Sequence, residues 1–331
     1  MQAPRHRGAN FIGRSFADVL AASGYREIET LLPPVLAWDG LIDLVNPGVI
    51  VADAAPLLSL SAYGRIPVLA VGDGFVLPPA HLPRMPALLS RPSNMPDEDT
   101  LLANAAAVQR KRGQSSSPRT LPSLIGGQAR VVCTYPETDI YARLRIKPAS
   151  GPLESPPAPL GRPLHRAVFA YLAADFAPTA KLLEVLARCG FPVEAFVRDL
   201  PDRMRGALRA ANIRVHETPP LLVEVAERSN LIVHHGGIGT AEMALALGRP
   251  QLLLPKHVEQ RMNASNLLRL GVAMRLEPDF SLEDGSAAVS EALSSKSLAD
   301  KAQETAARLA GRPSVSLDRI IGLCEELASR S

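Results

Sequence analysis

The sequence has few cysteines and few aromatics, and it lacks a long apolar run, a dense basic block and a strong charge imbalance. Its 3 cysteines, Cys133, Cys189 and Cys324, are odd in number and far apart. A disulfide framework and a paired-cysteine metal site are therefore excluded, and the cysteines read as buried small hydrophobes in a reducing compartment. No apolar stretch reaches the roughly 18 to 20 residues that span a bilayer. Arg5, His6 and Arg7 have no apolar run behind them, so no secretory signal is read there. The net charge is only +3, and the densest basic cluster is Arg110-Lys111-Arg112. That triplet reads as a solvated loop face and not as a nucleic-acid footprint. The expectation is a cytoplasmic chain without a membrane span and without nucleic acid as a partner.

What is present suits a core-forming protein. The chain has 331 residues, of which 47% are hydrophobic and 21% charged, a length that favours two domains. Its 30 prolines are clustered. The densest run contains Pro148, Pro152, Pro156, Pro157, Pro159 and Pro163, and it blocks helix and interior strand alike. It reads as a linker over 148–163, dividing a domain at 1–147 from one at 164–331. A second Pro-rich stretch, Leu77 to Pro96, reads as a long surface loop over a site.

The C-terminal half alternates short apolar runs with amphipathic stretches. Strands are expected at Ala167–Tyr171, Val193–Val197, Ile213–His216, Leu231–Val233 and Gln251–Leu254. Helices are expected between them, at Thr179–Arg188, Ala207–Ala211, Leu221–Glu227 and Thr240–Leu247, then at Gln260–Leu270. Strict alternation with short connections predicts an α/β fold with a doubly wound parallel sheet, whose ligands sit beyond the carboxyl ends of the strands. The N-terminal half has the same style, with helices at Phe11–Ala22, Glu27–Val45, Leu57–Tyr63 and Leu101–Lys111. Its strands are expected at Gly48–Ala52, Pro67–Val71 and Ala129–Thr134, fewer than such a domain normally has.

The most informative segment begins with the strand Leu231–Val233 and runs through His234, His235, Gly236, Gly237, Ile238, Gly239, Thr240 and Ala241 to Glu242. An apolar strand enters a Gly-rich turn, which opens a helix with an acidic residue in its first turn. Free N–H groups at a helix start favour an anion, and glycines let a phosphate approach the backbone. Thr240 offers a helix cap and a hydroxyl. A diphosphate is the natural occupant, although turns of this kind also occur in α/β proteins that hold no ligand.

From Ile213 through Met274 the chain resembles the C-terminal domain of GT-B glycosyltransferases, in particular the UDP-glycosyltransferase family of plant and bacterial natural-product enzymes. The likeness covers Thr218-Pro219-Pro220-Leu221, the His234 to Thr240 loop, Glu242, Gly248-Arg249-Pro250, Pro255, Glu259-Gln260 and Asn263. It implies two Rossmann-like domains, the N-terminal one incomplete. It also implies that His234 hydrogen-bonds the donor diphosphate, with Gly237, Ile238, Gly239 and Thr240 completing the cradle. Glu242 would hold the ribose hydroxyls, and Glu259 and Gln260 those of the sugar. Thr218 and Pro219 fall at the base-contacting turn, where plant members place a tryptophan. Thr218 cannot stack and Pro219 has no N–H to donate, so the base stays open. His235 reads as a loop residue satisfied by backbone, and His257 as exposed or indirect.

In the N-terminal half, Val49 to Pro56 followed by Arg65 to Val68 resembles the middle of the family's acceptor domain. The resemblance gives Asp53 the role of orienting a histidine that deprotonates the acceptor. A strand-end Asp that caps the next helix is the other reading. His6 is the only histidine before Asp53 and follows no expected strand, so the general base is not found. Either the natural chain is longer, or this is a nucleotide-sugar-binding protein that needs a partner chain for the acceptor half.

The resemblance implies an inverting, metal-independent glycosyltransferase that takes a UDP or TDP sugar as co-substrate, with no other cofactor, and a hydroxylated small-molecule or lipid acceptor. A non-catalytic donor-binding protein and a nucleotide-sugar epimerase or hydrolase are the alternatives. Glu137-Thr138-Asp139 reads as surface and not as a metal site, and Phe75 and Met85 are candidates to line an acceptor pocket.

Overall fold

The computed structural model describes residues 13–90, 93–312, 314–315 and 317–330. His6, Phe11 and Ile12 lie outside them. The chain divides into two units, one of Met1–Leu153 with Ser314–Ser331 and one of Glu154–Pro313.

The first unit holds a parallel sheet of three strands, β1 (Ile50–Ala52), β2 (Val68–Gly72) and β3 (Ala129–Val132), in the order β1-β2-β3. All five residues of β2 are buried, as a central strand covered on both faces requires. Ile42, Ile50, Ala52, Ala62 and Val68 form one hydrophobic cluster. Another joins Leu69, Val71 and Val131 to Val315 and to Leu327 of the helix Leu317–Ala328, so the end of the chain returns to cover this sheet. Helices occupy Ile28–Val45, Pro56–Ala62 and Glu98–Lys111, close to the expected spans, and Leu121–Gly126 adds an unexpected one. The expected first helix starts instead at Phe16, behind a capping box built by Ser15 and Asp18. Loop residues Phe75, Leu77 and Met85 are buried, and Phe75 packs edge-on against Phe16 at 5.4 Å.

Three local expectations are overturned. Arg112 is no solvated loop residue: its side chain is buried, donates to Asp39 at 2.7 Å through Nε, and reaches the carbonyls of Leu60 and Ser61. Asp139 is likewise no surface residue, because its buried carboxylate pairs with Arg145 at 2.5 Å and accepts from the Tyr141 N–H at 3.1 Å. Burial at both sites is compensated by opposite charge, a pairing that sequence spacing does not display. The cysteines are half-buried and not fully buried.

The second unit holds six parallel strands: β4 (Val168–Ala173), β5 (Val193–Arg198), β6 (Arg214–Val215), β7 (Leu231–His234), β8 (Gln251–Leu253) and β9 (Ala273–Arg275). Their order is β6-β5-β4-β7-β8-β9, so the chain winds outward from β4, returns, and winds the other way from β7. That reversal places a topological switch point between β4 and β7, where Tyr171 pairs with His234. Leu182, Leu186, Val289 and Phe280 belong to one core cluster with β4, β5 and β7, and Val225, Ala244 and Leu247 join Phe169 and Ile232 in another. The helices Leu282–Ser294 and Lys296–Leu309 complete the unit. Among the described residues no helix is long and apolar enough to cross a membrane.

Candidate functional site

β7 ends at His234 directly on the switch point, and the loop that follows is wired almost entirely to backbone. Gly236 adopts φ +90°, and a Cβ there would stand 3.1 Å from the Gln260 carbonyl oxygen, so both conformation and space call for glycine. The Asn263 side-chain amide donates to the Gly236 carbonyl at 3.0 Å and pins the loop from the helix Val258–Arg269. Gly237 is the N-cap of the helix Ile238–Ala246. The helix thus begins two residues before the expected Thr240, which corrects two readings. Thr240 lies inside the first turn and does not cap it, and Glu242 stands in the second turn, buried, with a polar partner. A Cβ at Gly237 or Gly239 would meet nothing within 4 Å, so the helix start is open to close approach.

The two histidines serve this loop differently from what their order suggests. His234 is buried, its Nε2–H donates to Gln251 Oε1 at 2.8 Å, and its Nδ1 accepts the Gly236 N–H at 3.0 Å. Gln251 in turn donates to the Ala241 carbonyl at 3.1 Å. Both ring nitrogens are committed to the fold, and burial lowers the imidazole pKa to about 4. His235 accepts the Ala173 N–H at Nε2, 3.0 Å, and donates from Nδ1 to the Leu254 carbonyl at 2.8 Å. It is satisfied by backbone, as expected, and it ties the ends of β4 and β8 to the loop. Burial lowers its pKa as well, so this end of the sheet carries neutral imidazoles.

The helix Val258–Arg269 starts at the same end of the sheet, behind the exposed His257. Gln260 Oε1 accepts the Lys256 N–H at 2.8 Å, which leaves its amide nitrogen free to donate, and Glu259 is half-buried with a polar partner. Lys256 pairs with Asp175 at 2.5 Å, beyond the end of β4. Two helix N-termini, the Gly237–Thr240 backbone, Glu242, Glu259 and Gln260 therefore share one end of the sheet. Such a set is fit to receive an anion carrying hydroxyls. Thr218 and Pro219 are exposed beyond β6, three places from β7 in the strand order. At one strand spacing per place that is about 14 Å, so only an extended ligand touches both ends of this row.

One residue of the motif does something the sequence did not reveal. Arg249 is 1% exposed and donates to the carbonyls of Ala226 at 2.8 Å and Gly161 at 2.8 Å. The Ala226 carbonyl ends the helix Leu222–Ala226, whose dipole favours a cation there, and burial pulls the Arg249 pKa down to about 10.

In the first unit, Asp53 follows β1 and is exposed. It does not cap the next helix, whose N-cap is Ala55 with no side-chain cap. Its Oδ1 would be 3.1 Å from a Cβ at Gly72, so the carboxylate stands beside the end of β2. There Asp73, which sequence reading missed, accepts the N–H groups of Phe75 at 2.7 Å and Val76 at 3.2 Å. Burial raises the Asp73 pKa, and the charges of Asp53 and Asp139 raise it further. Asp53 and Asp73 occupy the same place after neighbouring strands, a repetition visible in Val51-Ala52-Asp53 and Val71-Gly72-Asp73.

Residues 180–327 match the family model for the C-terminal domain of erythromycin biosynthesis protein CIII-like proteins. The UDP-N-acetylglucosamine–N-acetylmuramyl-(pentapeptide) pyrophosphoryl-undecaprenol N-acetylglucosamine transferase of Acidiphilium cryptum (strain JF-5) is 29% identical over 252 residues, 73% of this chain and 64% of that protein. The aclacinomycin-T 2-deoxy-L-fucose transferase of Streptomyces galilaeus is 29% identical over 168 residues, 50% of this chain and 36% of that protein. The chain thus spans under two thirds of the length of these relatives. Among solved structures, glycosyltransferase VinC in complex with DTDP matches with a TM-score of 0.66 at 20% identity, over 95% of this chain and 80% of that one. The spinosyn rhamnosyltransferase SpnG matches with a TM-score of 0.66 at 18% identity, over 96% and 86%. The chain accordingly has the GT-B fold of these glycosyltransferase structures, with a smaller N-terminal domain, and the similarity of its residues 180–327 is to the C-terminal domain of EryCIII-like proteins.

Proposed function

We propose that the chain is a glycosyltransferase that moves a sugar from a nucleoside diphosphate to a hydroxyl of a small-molecule or lipid acceptor. The observation that carries this reading is the Gly236–Gly237 loop at the switch point of the six-stranded sheet, opening a helix whose first N–H groups are free to receive a diphosphate. The leaving diphosphate is stabilised there by backbone N–H groups and the helix dipole, the part a metal ion plays in other transferases, so the reaction proceeds without one. His234 acts as a positioning residue that shapes the loop. Glu242 takes the ribose diol, and Glu259 with the free amide of Gln260 reads the sugar hydroxyls. Thr218 and Pro219 face the base. The relatives' names point to both UDP and TDP donors.

On the acceptor side the reading assigns Asp53 and Asp73 to the carboxylate pair at the ends of β1 and β2. A carboxylate that orients or accepts the acceptor proton supports a single displacement with inversion and no covalent intermediate. The test is donor turnover measured with and without a panel of hydroxylated acceptors, with EDTA present. Acceptor-dependent release of UDP or TDP and a glycosylated product of inverted anomeric configuration are expected. Nucleotide binding without any turnover, or sugar release that ignores the acceptor, sinks the reading.

A further inference from the structure

The first unit has a cavity that plays no part in the reading above. Its volume is about 370 Å³, within the range of small-molecule sites. Arg130, Arg145, Lys147 and Arg319 line it together with His81, and no lining residue is acidic. Arg145 is neutralised from behind by Asp139 and also donates to the Gly74 carbonyl at 3.2 Å. Arg130 and Lys147 have no carboxylate partner among the described residues. The Arg130 guanidinium lies over the backbone at Gly126, where a Cβ would approach its Cζ to 3.5 Å. Burial, and then the neighbouring charge of Arg145, hold its pKa below the ordinary arginine value. The fold thus gathers like charges around one concavity, and two of them, on Arg130 and Lys147, have no carboxylate partner among the described residues.

We propose that this cavity binds a phosphoryl group, received by Arg130, Lys147 and Arg319. Two uncompensated cations with a third beside them match a dianion better than a single carboxylate, and guanidinium groups meet phosphoryl oxygens in bidentate fashion. Ile146, 78% exposed at the rim, and its neighbour Leu144, 44% exposed, offer apolar surface to the organic body that carries the group. That body is a soluble phosphate ester or a phospholipid, and the chemistry recognised is the same. The inference does not rest on the proposed glycosyl transfer.

The experiment uses the full chain and phenyl phosphate as the soluble probe in titration calorimetry, with phosphatidylglycerol against phosphatidylcholine vesicles as the lipid arm. The double variant Arg130→Ala, Lys147→Ala is expected to weaken binding roughly tenfold or more, since each loses a charge-assisted hydrogen bond. Far-ultraviolet circular dichroism and the thermal unfolding curve serve as the control for folding, and both are expected to stay unchanged. The charge-keeping variant Arg130→Lys, Lys147→Arg is expected to retain most of the binding. Phenyl phosphate binding assigns the site to soluble esters. Co-sedimentation with phosphatidylglycerol vesicles alone, lost in the alanine variant, assigns it to headgroups. A chain that binds neither probe, or an alanine variant that binds both as the parent does, overturns the proposal.

Discussion

The two units end their strands in opposite electrostatic styles. Around the loop after β7 the imidazoles and the Asn263 amide are neutral and fixed by the fold: His234 to Gln251 and the Gly236 N–H, His235 to the Ala173 N–H and the Leu254 carbonyl, Asn263 to the Gly236 carbonyl. Beyond β1 and β2 stand carboxylates whose charges raise the Asp73 pKa on top of its burial. A rigid neutral collar around free helix N–H groups is preorganised for an anion and needs no proton exchange. A crowded carboxylate group is suited to titrate. One unit fixes neutral groups around open N–H donors, and the other crowds like charges.

The contrast can be broken most sharply at Gly236. Gly236→Ala forces a Cβ to within 3.1 Å of the Gln260 carbonyl at φ +90°, so the loop must shift. Turnover is expected to fall roughly 100-fold with a parallel loss of TDP affinity, because small displacements of positioning groups carry penalties of that order. Steady-state kinetics and calorimetry check this, and affinity close to that of the parent would show that the collar is not what positions the nucleotide.

Gln251→Leu removes the acceptor for the His234 Nε2–H and the donor to the Ala241 carbonyl. Stability in urea is expected to drop by about 1 to 3 kcal/mol, the cost of the buried His234 N–H left without a partner, since the Ala241 carbonyl keeps its bond within the helix. An unchanged unfolding midpoint would remove His234 from the collar.

The imidazole sets a pH window of its own. His234 is neutral in the fold down to about pH 4, against an ordinary value of 6.5. The unfolded chain therefore binds the proton first. Stability is full above pH 6.5 and is lost as the pH falls toward 4, by about 3 kcal/mol when complete. Thermal melts across this window, compared with those of His234→Asn, test the sign. A variant with the same slope as the parent would assign the loss to another group.

The smallest effect sharpens the first unit's side of the comparison. Asp53→Asn removes one of the charges that raise the Asp73 pKa, so that pKa is expected to move down. Carbon-detected NMR titration of the Asp73 carboxyl reads it directly. Any acid limb that Asp73 imposes on turnover should follow it, and a shift upward would contradict the arrangement of the three aspartates.

Much of the second unit was legible because its signals are local. Alternating apolar and amphipathic runs gave its first five strands in near-correct positions, and the glycines between His235 and Thr240 announced the loop. Helix ends were less legible: Gly237, and not Thr240, starts the helix, since φ/ψ at the cap and not hydroxyl chemistry decides it. Illegible features depend on partners distant in sequence. Arg112 with Asp39 and Arg249 with Gly161 are polar residues whose burial is decided by what the fold brings to them. β9 and the helices after it were not expected, although β9 is as long as β8 and the first two of those helices have 13 and 14 residues. Asp73 was overlooked because nothing in the chain says that β1 and β2 lie side by side.

The helix Leu317–Ala328 has a consequence for how the molecule comes into being. Leu327 packs with Leu69, Val71 and Val131, so the small sheet is roofed by a segment made only after the whole of the larger unit. The larger sheet is therefore an insertion in the covalent thread of the smaller one, and it can close while its host still waits. A nascent chain halted near residue 313 would carry a finished six-stranded unit on an unroofed platform. Dissecting the protein at its Pro-rich linker would yield not two domains but one domain and a sheet robbed of its cover.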